Sequence, residues 1–378
     1  MKKIFFLFFL SYLYSDSNIS VSPEISQRSF SFPVKIELSN ETGFSLINQY
    51  RLYHLDYPVN RLIYSSNNRN KVTAITEISN IKYSSESMEF IIGRDYIFNE
   101  SPIKISGCFI SNQSTSFDFI GYNLNFNNIK IFSNIVKLDN KLYKGQNLEE
   151  ALDYYVNRWF YYRRIETQIG ERIFIGFQDA IISTGIDRGI EWYYLTPLGV
   201  FQAEQLHQLD REDIENTSGN NDNGMIGIDI KYQIDLEKYI YSELLIDDFQ
   251  IDSEDRKKVD DIFGFIFGYF EDNQKYIINF EYSFASPWLY INRGLYANFE
   301  KNNLFIGLRY PHYHSLDFIY SLKLNHHSDF TSHIRLAQRG DQNLIDKWNG
   351  LETNNKIEYF EFSNNIDPEI RLEYISKE

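Results

Sequence analysis

The 378-residue chain holds one cysteine, Cys108. A lone thiol excludes an intrachain disulfide framework and any cysteine-rich zinc site. Beyond the extreme N-terminus there is no run of about 18 apolar residues, so no transmembrane helix is expected. A mean hydropathy of -0.40 also argues against a helical membrane protein. Alanine, the best helix former, is scarce. Positive charge is in deficit, 37 Lys and Arg against 52 Asp and Glu, for a formal net charge of -15. Such a chain is a poor generic partner for nucleic acid. The sequence contains no His-Glu-x-x-His, no Gly-x-Ser-x-Gly and no glycine-rich phosphate loop. Nothing in it implies a cofactor.

What is abundant is aromatic. The chain carries 29 Tyr and 31 Phe, and Phe, Trp and Tyr together make up 17% of it. That composition favours strands. At the start, Met1-Lys2-Lys3 is a basic region followed by the apolar run Ile4 to Tyr14 and the small residues of Ser15-Asp16-Ser17. This is the pattern of an export signal cleaved after Ser17, leaving 18–378 as the mature domain.

Period-two segments dominate the second half. In Gly224 to Ile234, Ile226, Ile228, Ile230, Tyr232 and Ile234 fall on one face, and Asp229, Lys231 and Gln233 on the other. Ile278 to Phe284, Leu316 to Leu324 and Glu369 to Tyr374 repeat the alternation. Further strands are expected at Tyr155–Thr167, Glu171–Asp179, Lys238–Asp247, Ile262–Phe270 and Phe330–Gln338. In the first half they are expected near Val34–Leu38, Val72–Tyr83, Met88–Asp95, Ile103–Ile110 and Ile129–Val136. A soluble sandwich and a membrane barrel share this alternation, one with the apolar face on a core and the other with it on lipid.

The connections separate the two. Gly170, Asp235–Glu237, Glu271–Gln274, His326–Ser328 and Asn364–Pro368 are short. Ile181–Asn223, Asp248–Asp261, Ser286–Ser315 and Arg339–Asn355 are long. Short periplasmic turns alternating with long outer loops are the pattern of an outer-membrane barrel. The expected fold is therefore all-β, a transmembrane antiparallel barrel of roughly 16–18 strands. With Asn364–Pro368 as a periplasmic turn, the last strand, Glu369–Ser376, runs outward.

Several segments resemble the Wzi-like capsule-assembly outer-membrane proteins, in the family's order. Ile173-Phe174-Ile175-Gly176-Phe177-Gln178-Asp179-Ala180 resembles their "LGFGEAV" strand. Glu191-Trp192-Tyr193-Tyr194-Leu195-Thr196-Pro197-Leu198 is similar to "xxYLNPLxPF", with Thr196 where Asn is usual, and Gln205 matches the Gln that follows. Asn221 to Asp229 resembles "DNxLLGxD", Glu243 to Gln250 resembles "ELLIDDFQ", Ser286 to Tyr290 resembles "NPWTY", and Gly93-Arg94-Asp95 an upstream "GRD/GRQ" strand. The resemblance covers roughly 93–290. It implies an outer-membrane barrel of a Gram-negative-type bacterium that holds capsular or surface polysaccharide in a lectin-like, non-catalytic role. The family's N-terminal periplasmic helical segment is not obvious here.

Candidate sites follow. The connection from Asp187 to Asn223 carries Trp192, Tyr194, Gln202 and Gln205, aromatic faces beside amides, which suit sugar rings and their hydroxyls. Arg188 is the local cation for an anionic polymer. The alternative use of the same aromatics is to plug or brace the barrel. Arg94, Asp95, Asp229, Lys231, Glu281 and Lys323 are expected to face the lumen. Their mixed signs suit either a channel constriction or salt bridges that close it. His312 and His314, or His326 and His327, have no carboxylate or cysteine at ligand spacing and read as solvated histidines. Ser218–Gly224 lacks the acidic spacing of a calcium loop. Asp247 and Asp248 are adjacent in a strand and point to opposite faces. The expected function is polysaccharide attachment, with lipid and surface polysaccharide as partners. A porin or substrate channel is the alternative, and a barrel hydrolase has no positive support.

Overall fold

The computed structural model describes residues 16–21, 24–25, 29–40, 42–55, 72–97, 104–111, 115–143, 154–186, 188–197, 199, 201, 221–248, 261–292, 295–325, 328–340 and 366–376. The strands in chain order are β1 (Asp16–Val21), β2 (Glu24–Ile25), β3 (Ser29–Ser39), β4 (Phe44–Leu55), β5 (Val72–Ser84), β6 (Met88–Asp95), β7 (Phe117–Phe126), β8 (Ile129–Lys137), β9 (Lys141–Tyr143) and β10 (Tyr154–Ile169). They continue as β11 (Ile173–Gly185), β12 (Asn221–Gln233), β13 (Lys238–Asp248), β14 (Ile262–Asp272), β15 (Tyr276–Ala285), β16 (Glu300–Lys301), β17 (Leu304–Phe305), β18 (Tyr313–Asn325), β19 (Ser328–Arg339) and β20 (Asp367–Ser376). β16 and β17 form a small separate hairpin. All others join one antiparallel sheet. β1 and β2 both lie along β3, and β8 and β9 both along β10, so the described segments make 16 rows. A barrel satisfies backbone groups between strands, which a spanning sheet needs in lipid.

The predicted strands of the second half reappear within a few residues of their expected bounds. β1, β4 and β7 had no clear alternation and are additions. Ile103–Ile110 is a correction: residues 104–111 form no strand and lie inside the barrel. Cys108, Phe109 and Ile110 there are fully buried, so an apolar run that fits a strand fills the lumen instead.

The last strand is a second correction. β19 pairs directly with β20, from Ser328↔Ser376 to Ala337↔Asp367. β20 is therefore the direct neighbour of β19 in the sheet. β20 then runs back toward the short turns, and Ser376 lies at the same end as Gly170 and Asp235.

Two faces are plain from exposure. Ile228, Ile230 and Tyr232 are exposed at 43, 44 and 40%, while Asp229 between them is 3% exposed. Phe177, Phe267, Phe318 and Ile334 are exposed on neighbouring strands. On β12 the apolar residues face out and the charged ones point in, the reverse of a soluble sandwich. The buried apolar cluster lies inside, at the end of the long connections. Phe119, Val136, Phe160, Met225, Leu245, Ile266 and Tyr313 of the wall surround Phe109, Leu289, Tyr290, Phe299 and Leu308.

Candidate functional site: a filled lumen and an outer flap

The lumen is filled from two directions, by residues 104–111 and by 286–292 with 295–312. They bond to each other, Ser111 N–H donating to Ile306 O at 2.8 Å. Tyr290 Oη donates to Cys108 O at 2.6 Å and accepts from Leu308 N–H at 2.9 Å. The wall grips both. Arg158 of β10, fully buried, donates to the carbonyls of Tyr296 (2.6 Å), Asn298 (2.6 Å) and Glu300 (3.0 Å). Glu281 of β15 accepts the backbone N–H groups of Ile105 (2.9 Å) and Ser106 (2.8 Å) and the Tyr241 hydroxyl (2.8 Å). Asp247 accepts from Tyr290 N–H at 2.9 Å, beside a register shift in β13.

Below the apolar layer lies a band of ion pairs. Arg164 makes a two-pronged contact with Asp229, at 3.0 and 2.8 Å, and reaches Glu166 at 2.5 Å. Gln178 donates to Asp229 at 2.8 Å and to Glu243 at 3.3 Å, and accepts from Tyr162 at 2.6 Å. Lys104 closes the band on Glu243 at 2.8 Å. Burying charges is costly, and it is tolerated here because each carboxylate has a cation or several donors. Gly176 sits opposite Asp229, and a Cβ there would stand 2.2 Å from the Asp229 carboxylate and 2.9 Å from the Arg164 guanidinium. A Cβ on Gly227 would stand 2.5 Å from the Phe109 ring. Both glycines make room for what fills the lumen.

The expected lumen residues therefore divide. Asp229 and Glu281 are buried inside in this network. Lys231 lies lower, over the Phe174 ring at 4.2 Å, and Lys323 bonds to Asp272 at 2.5 Å near a short turn. Asp95 faces in and accepts from Asn80 at 2.6 Å. Arg94 is corrected. It is adjacent to Asp95, so it points the opposite way, onto the outer wall with Ile92, where it forks onto Asp118 at 2.6 and 2.6 Å.

The connection after β11 takes an unexpected course. Its described residues neither enter the lumen nor stand free. They lie against the outer wall of β7, β8, β10 and β11, as a flap. Tyr122 donates to Leu195 O at 2.6 Å, and Trp159 Nε1 to Arg188 O at 3.2 Å. Tyr161 Oη accepts Glu191 N–H at 2.9 Å. Arg163 pairs with Asp179 and caps the carbonyls of Thr196, at 2.8 Å, and Gly199. Arg163 and Asp179 are outward neighbours across β10 and β11, so the flap covers charges that lipid could not accept.

Within the flap, Trp192–Leu195 is a single 3-10 turn. Trp192 is 61% exposed and Tyr193 is 42%. Tyr194 is corrected as a ligand contact. Its ring is enclosed by Tyr161 (4.5 Å), Tyr193 (4.3 Å) and Phe201 (5.1 Å), leaving no face for a sugar. Burial pushes its hydroxyl well above the usual phenol range. Arg188 is held by Glu191 and Asp222, so its charge is already balanced. Gln202 and Gln205 lie outside the described residues, as do His326 and His327. His312 and His314 do not converge, the latter bonding Gln338 at 2.7 Å. Among the described residues no three His, Cys, Asp or Glu side chains are grouped to hold a metal ion.

No family model and no curated sequence matches the chain. Solved structures do. One is Wzi of Escherichia coli, described as an outer membrane protein involved in Group 1 capsule assembly and a carbohydrate-binding beta-barrel. It is 8% identical, with a TM-score of 0.55 over 87% of this chain and 71% of that one. An anion-selective porin from Comamonas acidovorans aligns at 9% identity and a TM-score of 0.43, covering 86% of this chain and 90% of that one. OccD3 of Pseudomonas aeruginosa aligns at 12% and 0.40, covering 95% and 90%. The fold is that of an outer-membrane β-barrel. At 8% identity the likeness to Wzi is one of fold.

Proposed function

We propose that this chain sits in the outer membrane of a Gram-negative-type bacterium, exported by residues 1–17, and attaches capsular or other surface polysaccharide to the cell without catalysing a reaction on it. The observation that carries the reading is the filled lumen. A porin needs a continuous water path. Here the inner face from β6 to β19 packs against residues 104–111, 286–292 and 295–312, with a band of ion pairs beneath. Binding then falls to the outer end, where Trp192 and Tyr193 offer open aromatic faces. The motif resemblance to capsule-assembly barrels and the carbohydrate-binding description of Wzi support the same direction.

Each aromatic contact contributes on the order of 1 kcal/mol, so single-sugar binding is weak and long polymers are held by repeated contacts. The test is deletion of the gene. Polysaccharide should appear in the medium while its synthesis continues, and the refolded barrel should show little conductance in a planar bilayer. Cells that keep their surface polysaccharide, together with a barrel that conducts freely, would replace this reading with a porin.

A further inference from the structure

Outside the filled lumen, the outer wall carries a groove of about 560 Å³ between the tops of β5, β6, β7 and β8 and the edge of the flap. Ile92, Ile120 and Ile135 line it along the wall, and Ile190 of the flap closes one side. At its upper rim stand Arg94, Lys137 and Trp159. Arg94 is balanced by Asp118. Lys137 makes no ion pair among the described residues. Its Nζ touches the amide oxygens of Asn140 (2.8 Å) and Asn157 (3.4 Å) and lies 4.7 Å above the Trp159 ring. Among the described residues the groove thus pairs an apolar floor with one surplus positive charge, on a chain whose net charge is -15.

All of these residues lie at the long-connection end, where an outer-membrane barrel meets the outer leaflet. An aromatic ring beside a cation at that level is an interfacial arrangement. A free anion has no use for the isoleucine floor, and a lipid with no net charge leaves the charge of Lys137 unbalanced. We propose that this groove is a binding site for one membrane lipid whose phosphate headgroup carries a net negative charge. Its acyl chain lies on Ile92 and Ile120, and its phosphate bonds Lys137 beside Trp159. The lipid would seal the gap between the wall and the flap that carries Trp192.

The chain has four tryptophans, so replacing Trp192, Trp288 and Trp348 by Phe leaves Trp159 as the sole reporter. The refolded protein is placed in phosphatidylcholine vesicles containing either brominated phosphatidylglycerol or brominated phosphatidylcholine at equal mole fraction. Trp159 should be quenched with a relative association constant about five-fold higher for the anionic lipid. Lys137→Gln should abolish the preference, Lys137→Arg should keep it, and inorganic phosphate should not compete. Spin-labelled lipids on the otherwise wild-type chain give the same comparison without the tryptophan changes. Equal association of both lipids, a preference that survives Lys137→Gln, or displacement by inorganic phosphate would overturn the proposal.

Discussion

Lys104 and Glu243 lie 139 residues apart in sequence and 2.8 Å apart in space, both buried. This pair fastens the lumen-filling segment to the wall. Lys104→Ala leaves a buried carboxylate without its cation and should destabilise the barrel by about 3–5 kcal/mol. The double change Lys104→Met, Glu243→Gln should recover most of that, because the amide keeps an acceptor for Gln178. Urea titration of the refolded barrel in vesicles measures both.

The outward face of β12 makes a second prediction. Ile230 points to lipid between Asp229 and Lys231, which point in. Ile230→Arg should cost about 2–4 kcal/mol near the bilayer midplane, because a cation on the lipid face loses its hydration. Gln233→Arg, on the inner face near a short turn, should cost much less. Equal losses in a folding assay would mean the register is wrong by one residue.

Orientation follows from β20. With Ser376 beside the short turns, a C-terminal tag should be hidden on intact cells and appear once the outer membrane is permeabilised. A tag inserted near Ser218 should be reached by antibody on intact cells. The opposite pattern would invert the barrel.

Trp192 and Tyr194 are two residues apart and have opposite roles. Tyr194→Ala should cost about 3–5 kcal/mol by emptying the ring cluster under the flap. Trp192→Ala should leave stability nearly unchanged and, on the proposed function, weaken polysaccharide binding only several-fold. An affinity column of the purified polymer, run beside a melting curve, separates the two effects.

Lys301, in β16 inside the barrel, donates to Ser116 O and lies 4.5 Å over the Phe117 ring. Burial pushes its ammonium down to about 8. A lysine depressed in the folded state is destabilising while it is charged. The cost is fully present below about pH 8 and is relieved as pH rises toward the unfolded value of about 10.4. Wild type should therefore gain stability relative to Lys301→Met between about pH 8 and 10.4. A constant difference across that range would contradict the burial of this amine.

Much of the barrel is written in local pattern. The alternation around Asp229 carries its own strand and its own two faces, because a pleated strand in a barrel wall meets a different environment every second residue. The short turns at Gly170 and Asp235 alternate with long connections, which gives the antiparallel order. What alternation cannot carry is the identity of a partner distant in sequence. Ile103–Ile110 is apolar enough for a strand, and only the buried carboxylates of Glu243 and Glu281, held on strands far down the chain, draw it into the lumen. β20 runs back toward the short turns because its hydrogen bonds go to β19, a pairing that no local signal marks. Arg94 and Tyr194 were drawn to the site by residue type, but their directions depend on Asp118 across β7 and on the ring of Tyr161 beneath the flap. Composition and period determined that this chain is a two-faced barrel wall. Which segments leave the wall to fill it or brace it was decided by long-range charge and packing, which exist only once the strands have closed around them.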